Sequence, residues 1–242
     1  MKNILIITGG SKGIRKGIIE AYQANDYQIF SIARTNGNFV DNKGLTQIQA
    51  DLIKEEVVNE VLPQIFQQLV PTSIKRIVLI NNAGTLGEVG RLENLTTETI
   101  SSAVKLNTLT PLLLTSVFIA LTKGWACEKK IINISSGAAQ NPYYGWSVYC
   151  ATKAALDMMT KVIAAEQETI ENGVKIIAIY PGVVDTDMQA QIRQSKRQDF
   201  IAIDRFLELK ASGSLLNSQT VGEKILEIDQ QEIESGSILR VE

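Results

Sequence analysis

Asn3-Ile4-Leu5-Ile6-Ile7 runs directly into Thr8-Gly9-Gly10-Ser11-Lys12-Gly13-Ile14-Arg15-Lys16-Gly17, after which Ile18, Ile19, Tyr22 and Ala24 fall at helical spacing. An unbroken apolar run suits a central parallel strand covered on both faces. Glycines at a strand-to-helix turn let the backbone approach a pyrophosphate, which the amides and positive end of the helix then hold. Strand, glycine turn and helix in this order predict an α/β nucleotide-binding fold.

Outward from this start, residues 28–33 are the expected second strand, followed by Arg34. An acidic residue at that strand end would favour NAD, whereas a basic one can meet the 2′-phosphate of NADP. Arg34, with Lys12 in the turn, points to NADP, although a strand-end arginine can also be simply solvated. Residues 45–50 form a third strand ending at Asp51-Leu52, and residues 55–69 an amphipathic helix. Asp51 either accepts from an adenine amino group or caps a turn. Residues 76–80 are the fourth strand, leading into Asn81-Asn82-Ala83-Gly84, small and amide residues suited to the ligand crevice of an open α/β sheet. Asn82 lines that crevice or stabilises the neighbouring strand. A long helix is expected at 97–123; its buried Asn107 must be hydrogen-bonded, as a structural link or to an ordered water. Strands at 131–134 and 174–179 follow, with a polar stretch at 187–213 expected as one or two mobile helices over the crevice. A helix at 220–229 and a strand at 237–241 complete the alternation, which has no linker, repeat or low-complexity break.

Between the strand at 131–134 and a helix at 147–171 lies a Gly/Asn/Pro loop that begins with Ser135-Ser136. Tyr149 and Lys153 share one face of that helix, so the ammonium can favour the phenolate. A free phenol titrates near pH ~10. Acid/base work near neutrality requires a downward shift, and Lys153 is the available cause. Ser136, at the mouth of the strand, can offer its hydroxyl to the same substrate oxygen. Tyr and Lys at this spacing also occur in many helices as a half-buried ring and a solvated amine; the glycine turn upstream is what favours a carbonyl-reducing site.

The 242 residues, 45% hydrophobic and 21% charged, suffice for one full core, so residues 1–242 are expected as a single domain. A net charge of −2 argues against nucleic acid as the main partner. The chain has no histidine, which removes Ser-His-Asp and Cys-His chemistry and most zinc sites, and no metal site is expected. Its two cysteines, Cys127 and Cys150, have no metal or disulfide pattern, and a reducing cytoplasm is the simplest home. Residues 1–8 are too brief for a signal-peptide core. The uncharged run 106–122 contains Asn107 and Pro111 and falls short of the roughly 20 apolar residues a membrane span needs, so it reads as a buried helix.

Thr8-Gly9-x-x-x-Gly13, Asn81-Asn82-Ala83-Gly84, Ser136, Tyr149-x-x-x-Lys153 and Pro181-Gly182-x-x-x-Thr186, in that order, resemble the short-chain dehydrogenase/reductases over the whole chain. The wording of Ser136-Gly137-Ala138-Ala139, Gly145-Trp146-Ser147-Val148-Tyr149-Cys150 and Val184-Asp185-Thr186-Asp187-Met188-Gln189 is similar to the sepiapterin reductase and bacterial benzil reductase branch. The resemblance implies a single Rossmann-type doubly wound α/β domain, a seven-stranded parallel sheet with helices on both faces. It implies an NADPH-dependent carbonyl reductase, working as a homodimer on a small-molecule carbonyl substrate. Tyr149 would donate the proton, Lys153 lower its pKa and bind the nicotinamide ribose, Ser136 orient the carbonyl and Asn107 hold a water of the proton relay. Thr8, Gly9, Ser11, Gly13 and Ile14 would form the cofactor turn, with Arg34 and Lys12 at the 2′-phosphate and Asp51, Leu52, Asn82, Ala83 and Gly84 on the adenosine side. Pro181, Gly182, Val184 and Thr186 would meet the nicotinamide.

Two departures stand out. The family's turn carries a further glycine where this chain has Arg15, whose side chain would crowd the pyrophosphate or add a cation beside it. In the sepiapterin reductase branch an acidic residue of the last strand anchors the pterin; here Arg240 falls at that place, unless a slip of one or two residues brings Glu242 there. A cation cannot accept from the pterin's amino groups. The expected substrate is therefore a neutral aromatic or vicinal dicarbonyl of the benzil type, with a pterin as the alternative. Tyr143, Tyr144 and Trp146 would supply aromatic walls, and Met188 would complete the substrate set. A non-catalytic NADP(H)-binding regulator and an interaction subunit built on residues 106–122 are the readings from other classes. Neither needs the full set of Asn107, Ser136, Tyr149 and Lys153.

Overall fold

A computed structural model describes residues 1–9, 13–39 and 43–241; Ser11, Lys12 and Glu242 lie outside the described residues. The chain forms β1 (Lys2–Thr8), α1 (Ile14–Gln23), β2 (Tyr27–Ala33), β3 (Leu45–Gln49), α2 (Glu55–Phe66), β4 (Ile74–Asn81), α3 (Thr97–Val104), α4 (Thr110–Leu121), β5 (Glu128–Ile134), α5 (Ser147–Glu168), β6 (Lys175–Tyr180), α6 (Asp187–Arg193), α7 (Ile203–Ala211), α8 (Ser218–Gln230) and β7 (Ile238–Arg240). These strands make one parallel sheet in the order β3-β2-β1-β4-β5-β6-β7. The order reverses between β1 and β4, and at such a switch point a ligand crevice opens beyond the strands' carboxyl ends.

Successive strand residues face opposite sides of a sheet, so the opening apolar run divides between two cores. Ile4 and Ile6 pack with Phe30, Leu62, Leu79 and Phe118 on the side of α2, α4 and α5. Leu5 and Ile7 pack with Ile18, Tyr22, Val78, Val221 and Ile225 on the side of α1 and α8. All four are fully buried, each contributing about 1.5–3 kcal/mol. On the second side α1 and α8 meet backbone to backbone. A Cβ on Gly17 would stand 1.7 Å from the Ser218 carbonyl oxygen, and one on Gly222 2.1 Å from the Gly17 carbonyl carbon.

Amides cross the apolar sheet. Asn81 Nδ2 donates to Asn133 Oδ1 at 2.9 Å and to Thr115 Oγ1 at 3.2 Å, and Asn133 Nδ2 donates to Thr160 Oγ1 at 2.8 Å. This ladder ties β4 to β5, α4 and α5.

The helix expected at 97–123 is not continuous α-helix. A π turn over Lys105–Leu109 separates α3 from α4 and carries Asn107. Pro111 has no N–H to give the Asn107 carbonyl four residues back, so the α pattern fails there and the turn widens. Thr97–Leu121 together has the length and composition to cross a bilayer, longer than the uncharged run read from the sequence. In this fold α4 instead packs on α2 and β4. The polar stretch expected as a lid resolves into α6 and α7, and β7 is shorter than expected.

Candidate active site

One cleft of about 980 Å³ opens at the carboxyl ends of the central strands. Gly13, Ile14, Arg15 and Thr35 line it from the β1–β2 side; Asn82, Gly84, Ser136, Tyr149 and Lys153 line it from β4, β5 and α5. Tyr143, Trp146, Pro181, Gly182, Val184, Thr186, Met188, Arg205, Phe206 and Arg240 complete it from the loops, α6, α7 and β7.

Gly9 and Gly13 bound the turn after β1. Thr8 Oγ1 accepts from the Asn82 and Ala83 N–H groups at 3.2 and 3.1 Å, and Asn82 Nδ2 donates to the Thr8 carbonyl at 2.9 Å. These bonds lace β1 to β4, so Asn82 does stabilise the neighbouring strand. Gly9 (φ 129°) and Gly13 (φ 65°) hold conformations that side chains rarely adopt. A Cβ on Gly9 would stand 2.3 Å from Asn82 Nδ2, and one on Gly13 3.0 Å from Thr186 Cγ2. The cap residue Gly13 has no side chain to bond the first amides of α1; the Lys16 N–H donates to the Gly13 carbonyl at 3.0 Å. A helix amino terminus entered through Gly13 fits the pyrophosphate of a dinucleotide.

Arg15 does not reach into solvent. It is 1% exposed. Its Nη1 donates to the Gly9 carbonyl at 2.9 Å, its guanidinium lies 5.9 Å from the Phe39 ring centroid, and Nε and Nη2 have no partner among the described residues. Burial draws its pKa down to about 10, which leaves it cationic at neutral pH. The unpaired donors are a second mark of a site for an anionic group.

On α5, Tyr149, Lys153 and Asp157 follow at successive helical turns, all on the buried face. Lys153 Nζ donates to the Ile134 carbonyl at 2.8 Å. Asp157 accepts from Ser135 Oγ at 2.6 Å and from the Tyr180 hydroxyl. Ser136 Oγ accepts from the Ala138 N–H at 3.1 Å, fixing the hydroxyl at the strand mouth. The expected electrostatics require correction. Burial holds the Tyr149 phenol above its ordinary value, and the hydrogen bond with Ser136 is what opposes it; Lys153 does not. Lys153 Nζ is 5.8 Å from the Tyr149 ring centroid and is committed to Ile134. Burial draws Lys153 itself down to about 8, with Asp157 acting the other way.

Asn107 is the structural link rather than a free amide. Its Oδ1 accepts from the Thr85 N–H at 2.8 Å, and its Nδ2 donates to the Thr85 carbonyl at 2.8 Å and to Thr152 Oγ1 at 3.1 Å. Asp51 Oδ1 accepts from the Ile53 N–H at 3.4 Å, as a turn cap does. Leu52 is buried, and its carbonyl accepts from Thr110 Oγ1 at 2.6 Å. Neither lines the cleft, nor does Arg34, exposed beyond β2. Thr186 caps α6 through the Gln189 N–H.

Aromatic rings wall the side of the cleft near α7. Trp146 stacks on Phe200 with centroids 4.6 Å apart, meets Tyr143 at 4.9 Å and stands edge-on to Tyr149 at 5.6 Å. Arg205 Nη1 donates to the Tyr143 hydroxyl at 3.2 Å. Tyr144 is 44% exposed and off the cleft, contrary to expectation: it follows Tyr143 in the loop and faces outward. Arg240 lines the cleft, its Nη2 donating to Gln140 Oε1 at 3.1 Å and its guanidinium 5.2 Å from the Tyr180 ring centroid. Sequence reasoning missed Asp157 and the contact of Arg205. The spacing of Asp157, four beyond Lys153, was the available signal for the first.

A family model described as short chain dehydrogenase matches residues 3–197. A benzil reductase ((S)-benzoin forming) of Bacillus cereus is 37% identical over 98% of this chain and 98% of its own length. A protein of the same description from Bacillus subtilis is 36% identical over 97% and 96%. The sepiapterin reductase of Bos taurus is 30% identical over 98% and 93%. Among solved structures, ElxO with NADP bound superposes with a TM-score of 0.79 at 24% identity, covering 100% of this chain and 97% of that one. A 3-oxoacyl-[acyl-carrier protein] reductase from Brucella melitensis in complex with NAD gives 0.82 at 19%, covering 99% and 95%. These two likenesses establish the fold alone. One neighbour holds NADP and the other NAD, so cofactor choice has to be argued from this chain's residues.

Proposed function

The chain belongs to the short-chain dehydrogenase/reductase family of oxidoreductases, and from that premise we propose that it uses NADPH to reduce one ketone of a neutral aromatic or vicinal dicarbonyl compound. The observation that carries this reading is the convergence of Ser136, Tyr149 and Lys153 on one cleft, with the glycine-entered start of α1 and an incompletely paired arginine on one side and an aromatic wall on the other.

Gly9, Gly13 and the first amides of α1 hold the pyrophosphate, and Asn82, Gly84, Pro181, Gly182, Val184 and Thr186 contact the rest of the cofactor. Bound NADPH supplies the hydride. Ser136 donates its hydroxyl to the substrate carbonyl oxygen, and Tyr149 gives that oxygen its proton. Burial keeps the phenol protonated at neutral pH but makes it a weaker acid, and the hydrogen bond with Ser136 is what offsets that as the proton leaves. With the Asn107 side chain fully engaged, its main-chain carbonyl, denied an α-helical partner by Pro111, is the group we assign to a relay water. Tyr143 and Trp146 flank a flat substrate ring, with Met188 beside them.

Arg240 in the cleft favours benzil over a pterin, since it has no acceptor for the pterin's amino groups. The likeness to sepiapterin reductases keeps the pterin as the second reading. We also propose a homodimer, joined through the outer faces of α4 and α5, where Leu112, Met158 and Val162 are exposed, and a cytoplasmic location suited to the free thiols Cys127 and Cys150. Steady-state rates for benzil and sepiapterin with NADPH, followed side by side at the NADPH absorbance, test the substrate. A higher specificity constant for sepiapterin overturns the preference, and no NADPH consumption with either overturns the reductase.

A further inference from the structure

Among the described residues Arg15 is a buried cation with two donor nitrogens lacking a partner. Only Nη1 has a bond, to the Gly9 carbonyl, although a guanidinium carries five N–H donors and accepts nothing. Among the described residues no carboxylate pairs with it, and no charged group perturbs it; burial alone acts on it. A buried cation with open donors is expensive for a free protein, and removing its solvation is repaid only by an anion that completes the set. Arg15 sits at the second residue of α1, just past the glycine turn, yet its guanidinium is held against Phe39, in the stretch that follows β2. Thr35, from that same stretch, lines the cleft with Arg15. The end of β2 is where dinucleotide folds read the 2′ position of the adenosine ribose, whereas the pyrophosphate belongs to the turn and the helix amides.

Resting on the cofactor reading proposed above, we propose that Arg15 is a ligand of the ribose 2′-phosphate, so that the side chain replacing the turn's third glycine sets preference for the phosphorylated cofactor. Phe39 and the Gly9 carbonyl hold the guanidinium in place, and Nε and Nη2 are the donors left for phosphate oxygens. Arg34, exposed at the neighbouring strand end, adds the second charge.

Titrations of NADPH, NADH, adenosine 2′,5′-bisphosphate and ADP against wild type, Arg15→Gln and Arg15→Lys test the assignment by binding alone. Arg15→Gln should weaken NADPH and the bisphosphate about 10- to 100-fold, the range of one or two charge-assisted hydrogen bonds. NADH and ADP should stay within about threefold, which also certifies that the variant is folded. Arg15→Lys should fall between. Equal loss for all four ligands would move Arg15 to the pyrophosphate and overturn the assignment, as would unchanged or tighter NADPH binding. Wild type that binds neither dinucleotide would overturn the cofactor reading itself, whereas an unchanged preference in the variants overturns the role of Arg15 alone.

Discussion

Lys153→Met should make the unliganded protein more stable near neutrality while abolishing reduction. Lys153 is 6% exposed, and its pKa falls from the ordinary 10.5 to about 8. At about 1.4 kcal/mol per pH unit, holding this ammonium costs the folded state roughly 3 kcal/mol. Because the folded value lies below the unfolded one, the unfolded chain binds more protons between the two, and stability rises with pH through that window. The cost is complete below about pH 8, shrinks above it and is gone above 10.5. Methionine keeps most of the volume and carries no charge, but it loses the bond to the Ile134 carbonyl, worth about 1 kcal/mol at any pH. Urea unfolding of wild type and variant at pH 7 and pH 9.5 separates the two contributions. The variant should gain about 2 kcal/mol at pH 7, and the advantage should shrink by about 2 kcal/mol at the higher pH. A variant that is less stable at pH 7, with a gap that does not change with pH, would refute the argument and mean that Lys153 is well solvated or well paired.

Tyr149→Phe should lower the rate of reduction about 10² to 10⁴-fold, with NADPH affinity unchanged in a fluorescence titration; activity above about a tenth of wild type would remove the phenol from the chemistry. Gly17→Ala should destabilise the protein by about 3 kcal/mol, because the new methyl would meet the Ser218 carbonyl at 1.7 Å and two helices must part. A melting temperature lowered by about 6–12 °C checks this. Arg240→Glu should raise the specificity constant for sepiapterin and leave that for benzil nearly unchanged; no change for sepiapterin would show that this position does not read the pterin.

The fold was legible because its signals are local. Ile4 to Ile7 without a polar break could only be a strand covered on both sides, and the glycines after it could only be a tight turn. Tyr149 and Lys153 were legible by helical period. Their electrostatics were not, since the burial that raises the phenol comes partly from Trp146 and Phe200, which stacks on it from far along the chain. Arg15 left two outcomes open because its resting place is set by Phe39. Asp157 stood in plain view at the next helical turn, but its partners Ser135 and Tyr180 arrive from the ends of two strands. The π turn was within reach of the sequence, because Pro111 denies a hydrogen bond to the very residue, Asn107, whose burial had been inferred.

The amide ladder bears on how the sheet finds its alignment. β4 and β5 bring Ile77, Val78, Leu79 and Ile80 against Lys129, Lys130, Ile131 and Ile132. A slide of two residues between such strands keeps every side chain on its own face, so apolar packing discriminates weakly among alignments. Asn81 and Asn133 break that degeneracy. They meet only when the strands are paired as observed, and a slide would bury two amides without partners, at about 1–3 kcal/mol each. The ladder thus acts as an alignment key, selecting one pairing among near-equivalent ones during collapse. The strand ends so aligned are those that carry Ser136 and the lining residue Asn82, so a single mispaired step would move the reactive hydroxyl away from Tyr149 before any ligand arrived.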